Sequence, residues 1–247
     1  MNRMFRARVA LAAILAGLCG TASAALTQYG PTPYLSFNDS PFKGGSFSYF
    51  YLETFEDHLL NTPGVTASAG GVTSVDFGPS IHDSVDADDG VIDGSGLGGD
   101  SFFTGNGAAG VKFTFSAAVL GALPTNAGLV WTDGGGGTSV TFSVFGALGE
   151  LLYTTTQSGF ADNSNSGETA EDRFFGATSS AGISAIFMSN ASGGMEVDHL
   201  QYGLAGSVTP SVPEPQTYAL LLAGLVGLGW VARIRKGNKR PNAKGCT

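Results

Sequence analysis

Six aspartates stand within eighteen residues in the run His82-Asp83-Ser-Val-Asp86-Ala-Asp88-Asp89-Gly90-Val-Ile-Asp93-Gly94-Ser-Gly-Leu-Gly-Gly-Asp100. Carboxylates two or three positions apart, with glycine at the bends, suit a hard divalent cation. Calcium takes about 6–8 oxygen ligands at ~2.3–2.6 Å, and one stretch of chain can supply several. Crowded carboxylates repel until a divalent ion or protons neutralise them. Asp83, Asp86, Asp88, Asp89 and Asp93 are therefore candidate calcium ligands. The competing reading is a solvated turn cluster, because Asp and Gly both tolerate turn conformations.

A second acidic group joins the two ends of the central region, with Glu53, Glu56 and Asp57 near its start and Glu196 and Asp198 near its close. Alternation along a strand puts Glu196 and Asp198 on one face and Val197 on the other. These two stretches resemble the acidic pair with which many carbohydrate-binding jelly rolls hold a structural calcium, and Glu56 and Asp198 join the candidate ligands. The alternative makes Asp198 and His199 polar residues of an edge strand. The aspartate run resembles the D-x-D-x-D-G calcium loops of extracellular modules but departs from them. With Gly90 as the bend Asp89 fits, while the two preceding ligand positions fall on Ala87 and Val85.

Trp131 and Asp133 form a candidate glycan site, an aromatic face to stack on a sugar ring beside an acid to bond its hydroxyls. The alternative is that Trp131 fills the core while Asp133 and Gly134 turn the chain. Catalytic signatures are sparse. His58, His82 and His199 lack the i, i+4 partner of a zinc helix, and neither a Gly-x-Ser-x-Gly elbow nor a phosphate loop occurs. A carboxylate pair for sugar hydrolysis is available by chance among 20 acids, so no catalytic residue is assigned.

These groups need a scaffold. The 247-residue chain holds 38 glycines, is 43% hydrophobic and is 13% charged, which excludes a disordered polyelectrolyte and a basic nucleic-acid binder. Short aromatic and β-branched runs at 46–52, 73–77, 111–115, 129–132, 139–145, 151–155, 173–177, 183–188 and 196–202 read as strands. Val111, Phe113 and Phe115 alternate on one face, as do Val140, Phe142 and Val144, with Thr141 and Ser143 facing outward. The expected fold is all-β, an antiparallel jelly-roll-like sandwich over 25–207, with loops at 79–106 and 158–172 too long for tight turns.

The ends differ in kind. A basic stretch to Arg8, an apolar run at 9–18 and Ala22-Ser23-Ala24 form an export signal over 1–24, cut between Ala24 and Ala25. At the other end, Val212-Pro213-Glu214-Pro215 closes a linker at 208–217. An apolar helix then runs from Tyr218 to Ala232, ending in Arg233, Arg235, Lys236 and further basic residues. About fifteen to seventeen apolar residues are near the lower limit for a membrane span, and the basic end marks its cytoplasmic side. The three basic residues Lys43, Lys112 and Arg173 face 19 acids in residues 25–212, a net charge near −16 against −8 for the whole chain. That acidity disfavours nucleic acid and acidic polymers as direct partners.

The Pro213-Glu214-Pro215 triplet, with the short apolar helix and basic end at 218–247, resembles the PEP-CTERM sorting signal of Gram-negative bacteria. The resemblance implies an exosortase as partner at the inner membrane, and release to the envelope or extracellular matrix. It also implies a role in exopolysaccharide or biofilm. The catalytic cysteine would belong to the exosortase. Read together, these features suggest an exported structural or glycan-binding protein, with calcium as its expected cofactor and polysaccharide as a further partner. The alternatives are a polysaccharide-active hydrolase or lyase, and a plain C-terminally anchored surface protein.

Overall fold

The computed structural model describes residues 25–73, 83–162, 164 and 167–206. The described strands belong to one compact unit that ends at Gly206. In chain order they are β1 (Leu26–Pro33), β2 (Phe47–Glu53), β3 (Val65–Ala67), β4 (Gly71–Val72), β5 (Phe102–Thr104), β6 (Val111–Phe115), β7 (Asn126–Gly134), β8 (Val140–Gly146), β9 (Leu151–Gln157), β10 (Arg173–Ser179), β11 (Ile183–Asn190) and β12 (Met195–Ala205). A single helical turn, α1 (Ala117–Leu120), follows β6. The region is an antiparallel β-sandwich, as the alternating runs predict. One sheet has the order β1-β10-β7-β12-β5-β4, with β2 also paired to β12, and the other runs β3-β6-β11-β8-β9.

The core lies between the sheets because each contributes every second side chain to it. Leu129, Trp131, Phe175, Val197 and Tyr202 come from the first sheet and Phe113, Phe142, Val144, Ile186 and Met188 from the second, all fully buried. The outward face of the second sheet mixes hydroxyls with Phe145, whose ring centroid lies 4.0 Å from Lys112 Nζ. There Thr141 pairs with Thr156 and Ser143 with Thr154 through hydroxyl bonds of 2.8 Å.

The first sheet is covered on its outer side as well. Val130 and Phe174 are neighbours in the β10/β7 register and point away from the core. Tyr34, Phe42 and Val85 close over them in a second, smaller cluster. Val85 belongs to the acidic segment, whose first residues, 83–86, are buried as a cover on the sheet while 89–94 are exposed. Gly90, at φ +93°, ends the 3-10 helix Asp86–Asp89 in a left-handed conformation. At Gly96 a side chain would collide with the Ser84 carbonyl, and Gly96 receives the Ser84 N–H at 3.1 Å. The cover thus doubles back on itself, and its acids point in several directions.

The strands read from sequence at 46–52, 111–115, 129–132, 139–145, 151–155, 173–177, 183–188 and 196–202 all lie on observed strands. β1, β3, β4 and β5 are additions, and most of the strand expected at 73–77 lies outside the described residues. The signal segment and the C-terminal helix also lie outside them. Among the described residues no helix is long and apolar enough to cross a membrane.

Candidate metal centre

The site begins with an irregularity in the first sheet. Glu196 of β12 lies opposite Asp133 of β7, and Val197 lies opposite Trp131, so Thr132 is an extra residue on β7. Such a bulge shifts the alternation by one. Trp131 stays in the core while Asp133 turns to the outer face beside Glu196, since cross-strand partners share a face. Two further acids arrive from the 3-10 helix Thr169–Glu171 and from Asp172, which leads into β10. Asp83 descends from the cover.

Asp83, Asp133 and Glu171 each bring a carboxylate oxygen to within 4.8 Å of the other two, and all three residues are buried. Asp172 and Glu196 act most strongly on Asp83 among its charged neighbours. Some of these oxygens have donors. Glu196 accepts from Ser101 Oγ at 2.7 Å, Glu171 Oε2 from the Asp162 N–H at 2.7 Å, and Asp133 from the Gly134 N–H. Both oxygens of Asp83, both of Asp172, Oε1 of Glu171 and the Thr132 hydroxyl are buried with no hydrogen-bond partner. Asp83 is 1% exposed and Asp172 0%.

Burial drives the electrostatics. It pushes Asp83 up to about 11, with Asp172 and Glu196 adding repulsion. Asp172 is raised well above the usual carboxylate range by burial and by Glu171, with Arg173 opposing. Burial also lifts Asp133 to about 6, and Glu171 and Glu196 to about 7. The Arg173 guanidinium does not enter the group. It donates to the Ala170 and Asp172 carbonyls and sits 5.6 Å from the Phe160 ring. Buried carboxylates with bare oxygens on Asp83, Glu171 and Asp172, beside Asp133 and Glu196 and with no ammonium or guanidinium among them, suit a hard, oxygen-seeking divalent cation.

A second group lies beside the first. Asp88, Asp198 and His199 also bring one donor atom each to within 4.8 Å of one another. His199 Nε2 is 2.9 Å from Asp88 Oδ1, and His199 Nδ1 is 2.8 Å from the Tyr34 hydroxyl. Asp198 accepts the Val85 N–H at 2.9 Å and the N–H of His199.

Residues 211–236 match a family model described as the PEP-CTERM protein-sorting motif. The chain carries a PEP-CTERM sorting signal. Val212, Pro213, Glu214, Pro215, Arg233 and Arg235 all fall inside that match, which marks the protein for export. Two solved structures are similar to this chain. One is a xylan-binding domain from CBM 22, formerly the x6b domain, at 11% identity. The other is the C-terminal family 22 carbohydrate-binding module of Clostridium thermocellum Xyn10B, at 10%. Each comparison covers 67% of this chain and 99% of the other, with a TM-score of 0.25, and carries no argument about ligand. No curated protein matches the sequence.

The sandwich distributes the expected ligands over several places. Asp83 and Asp133 enter the five-acid centre, whereas Asp88 and Asp198 enter the second group. Asp86 enters neither. It accepts the N–H groups of Asp93 and Gly94 at 2.9 and 3.1 Å and the Thr169 hydroxyl at 2.9 Å, stapling the cover. Asp89 accepts the Val91 N–H, and Asp93 is exposed. Glu56 accepts the Asp100 N–H at 2.6 Å. The single-loop arrangement is thereby corrected, because a cover that doubles back cannot aim consecutive acids at one point. The sugar-stacking role of Trp131 is corrected too, since its ring is fully buried and Nε1 donates to Asn190 Oδ1 at 2.8 Å. Glu171 and Asp172 were missed as candidates. The only sequence sign of them is the density of acids at 168–172, just ahead of a strand.

Proposed function

We propose that residues 25–206 form a non-catalytic, cation-locked module of the envelope or exopolysaccharide matrix, delivered there through its PEP-CTERM signal. On this reading residues 1–24 are removed after Ala24, and 218–247 hold the chain in the inner membrane until an exosortase reads 212–215. The observation that carries the cation is Asp83, whose two buried oxygens lack any donor while four other carboxylates surround it. Calcium fits best, because it takes oxygen ligands alone and Asp83, Asp133 and Glu171 converge within reach of one ion, with Asp172 and Glu196 adding negative charge close by. The ion would tie β7, β10 and β12 to the cover, which are strands and loop distant in sequence.

Burial also supports a binding or structural role over hydrolysis. General acid–base chemistry needs two carboxylates open to the polymer, and Asp83, Asp172 and Glu171 are covered. Polysaccharide is the proposed partner, bound on an exposed face away from Trp131. The deciding experiment melts the full-length protein with calcium and with chelator, then measures its retention on matrix polysaccharides under both conditions. An ion held at 100 times its Kd adds about 2.7 kcal/mol. Identical melting curves would remove the cation from the reading, and absent retention on every polysaccharide would remove the glycan.

A further inference from the structure

The group at Asp88, Asp198 and His199 differs in chemistry from the five-acid centre. It contains an imidazole, and none of its three donors belongs to the first group. We propose that it is a separate metal site for a borderline transition ion such as Zn2+, with His199 Nε2 and carboxylate oxygens of Asp88 and Asp198 as ligands. Imidazole with carboxylate favours zinc and its neighbours, whereas calcium selects oxygen alone.

The second observation that points to an ion is Asp88 itself. Its side chain is 8% exposed, Oδ2 is buried without a hydrogen-bond donor, and the carboxylate lies against that of Asp198, two like charges in contact that a cation between them would relieve. Asp198 is fully buried, and each of its oxygens takes one backbone N–H, which leaves lone pairs for a cation. The donors are already nearly spaced. A zinc ion at ~2.0–2.1 Å from each of two tetrahedral ligands holds them about 3.3 Å apart. His199 Nε2 and Asp88 Oδ1 stand at 2.9 Å, so admitting the ion requires an opening of a few tenths of an ångström.

A buried chain of polar groups sets which way the imidazole faces. Ser40 donates to Gln201 Oε1 at 2.5 Å, and Gln201 Nε2 donates to the Tyr34 hydroxyl at 2.9 Å. Tyr34 then gives its own proton to His199 Nδ1, and Nε2–H is left to donate to Asp88. Turning the Gln201 amide over reverses every bond. Gln201 Nε2 donates to Ser40, Tyr34 donates to Gln201 Oε1, and His199 Nδ1–H donates to Tyr34, which frees the Nε2 lone pair for a metal. In the reversed chain Ser40 Oγ accepts from both Gln201 Nε2 and the Phe42 N–H, so the one bond given up is that of the Ser40 hydroxyl proton. Tyr34 is thus a positioning residue, the outer partner that orients a metal-bound histidine.

The test is equilibrium dialysis of the full-length protein against Zn2+ with calcium in excess throughout, repeated with Co2+ to read ligation from its visible spectrum. One zinc per chain is expected, lost in Asp88→Asn and in His199→Asn, whose asparagine tolerates the left-handed backbone at φ +44°. Tyr34→Phe should weaken zinc about 10–100-fold while leaving the calcium-dependent rise in melting temperature in place. Absence of zinc binding overturns the proposal. So does zinc that persists in both ligand variants, and so does zinc that disappears in Asp83→Asn, which would place the ion in the five-acid centre. Because calcium is scored separately, failure of this site is distinguishable from failure of the other.

Discussion

Asp133 and Glu196 stand directly opposite each other across β7 and β12, two residues from a tryptophan that faces the other way into the core. A like-charged cross-strand pair is destabilising on its own. The bulge at Thr132 creates that pairing, and the acids on the cover and on the approach to β10 compound it. The cost of the arrangement is offset only when positive charge enters.

Asp83→Asn should therefore have different effects under two conditions. In chelator, where burial keeps Asp83 a protonated, neutral carboxyl, the amide replaces one neutral group by another and the variant should melt close to the wild type. In calcium it lacks a ligand and should melt below. Paired thermal melts with and without calcium check this; a variant that melts lower in both conditions would mean that Asp83 serves packing alone.

The pH dependence should also invert with the cation. In the metal-free protein the centre binds more protons folded than unfolded, because burial lifts Asp133 to about 6, Glu171 and Glu196 to about 7 and Asp83 to about 11 from ordinary values near 4. Stability then falls as pH rises from about 4 through 7 and beyond. With calcium bound the carboxylates are held ionised, and stability should instead fall on acidification. Melting temperatures from pH 4 to 8, in chelator and in calcium, should cross.

Trp131→Ala should cost about 3–5 kcal/mol as a large core cavity opens, read by denaturant unfolding. Trp131→Phe, which keeps the fold, should leave polysaccharide retention unchanged. Loss of retention in that folded variant would return the tryptophan to the ligand.

Asp86→Ala should free the staple without touching either carboxylate group. Three bonds to one carboxylate disappear, each a charge-assisted contact of about 1.5–3 kcal/mol at most. Limited proteolysis should cut near residues 89–94 faster than in the wild type, while calcium still raises the melting temperature.

Replacing Pro213-Glu214-Pro215 by alanines should leave full-length protein in the membrane fraction. Normal release of that variant would show that the tail is read by something other than an exosortase.

The sandwich was legible because period-two alternation survives wherever one strand face is apolar, as at Val111, Phe113 and Phe115. β1 escaped notice because Gly30, Pro31 and Pro33 break its pattern, and β3 and β4 are too short to show one. The site was half legible. Acid density drew attention to Asp83, yet the alternation rule left Asp133 on the core face with Trp131. Only the bulge, which depends on how β12 pairs, moves it. Glu171 and Asp172 lie far from the aspartate run in sequence, and their convergence on Asp83 is a property of the cover's path over the sheet.

That convergence has a consequence for the order of events at the membrane. A chain threaded from its N-terminus delivers Asp83 first, then Asp133, then Glu171 and Asp172, and Glu196 last. On the calcium reading, the full ligand set exists only when nearly the whole sandwich has crossed, with little more than β12 and the sorting tail left to follow. Metal capture then coincides with the end of translocation, and the mature shape is sealed on the side of the membrane where it will be used.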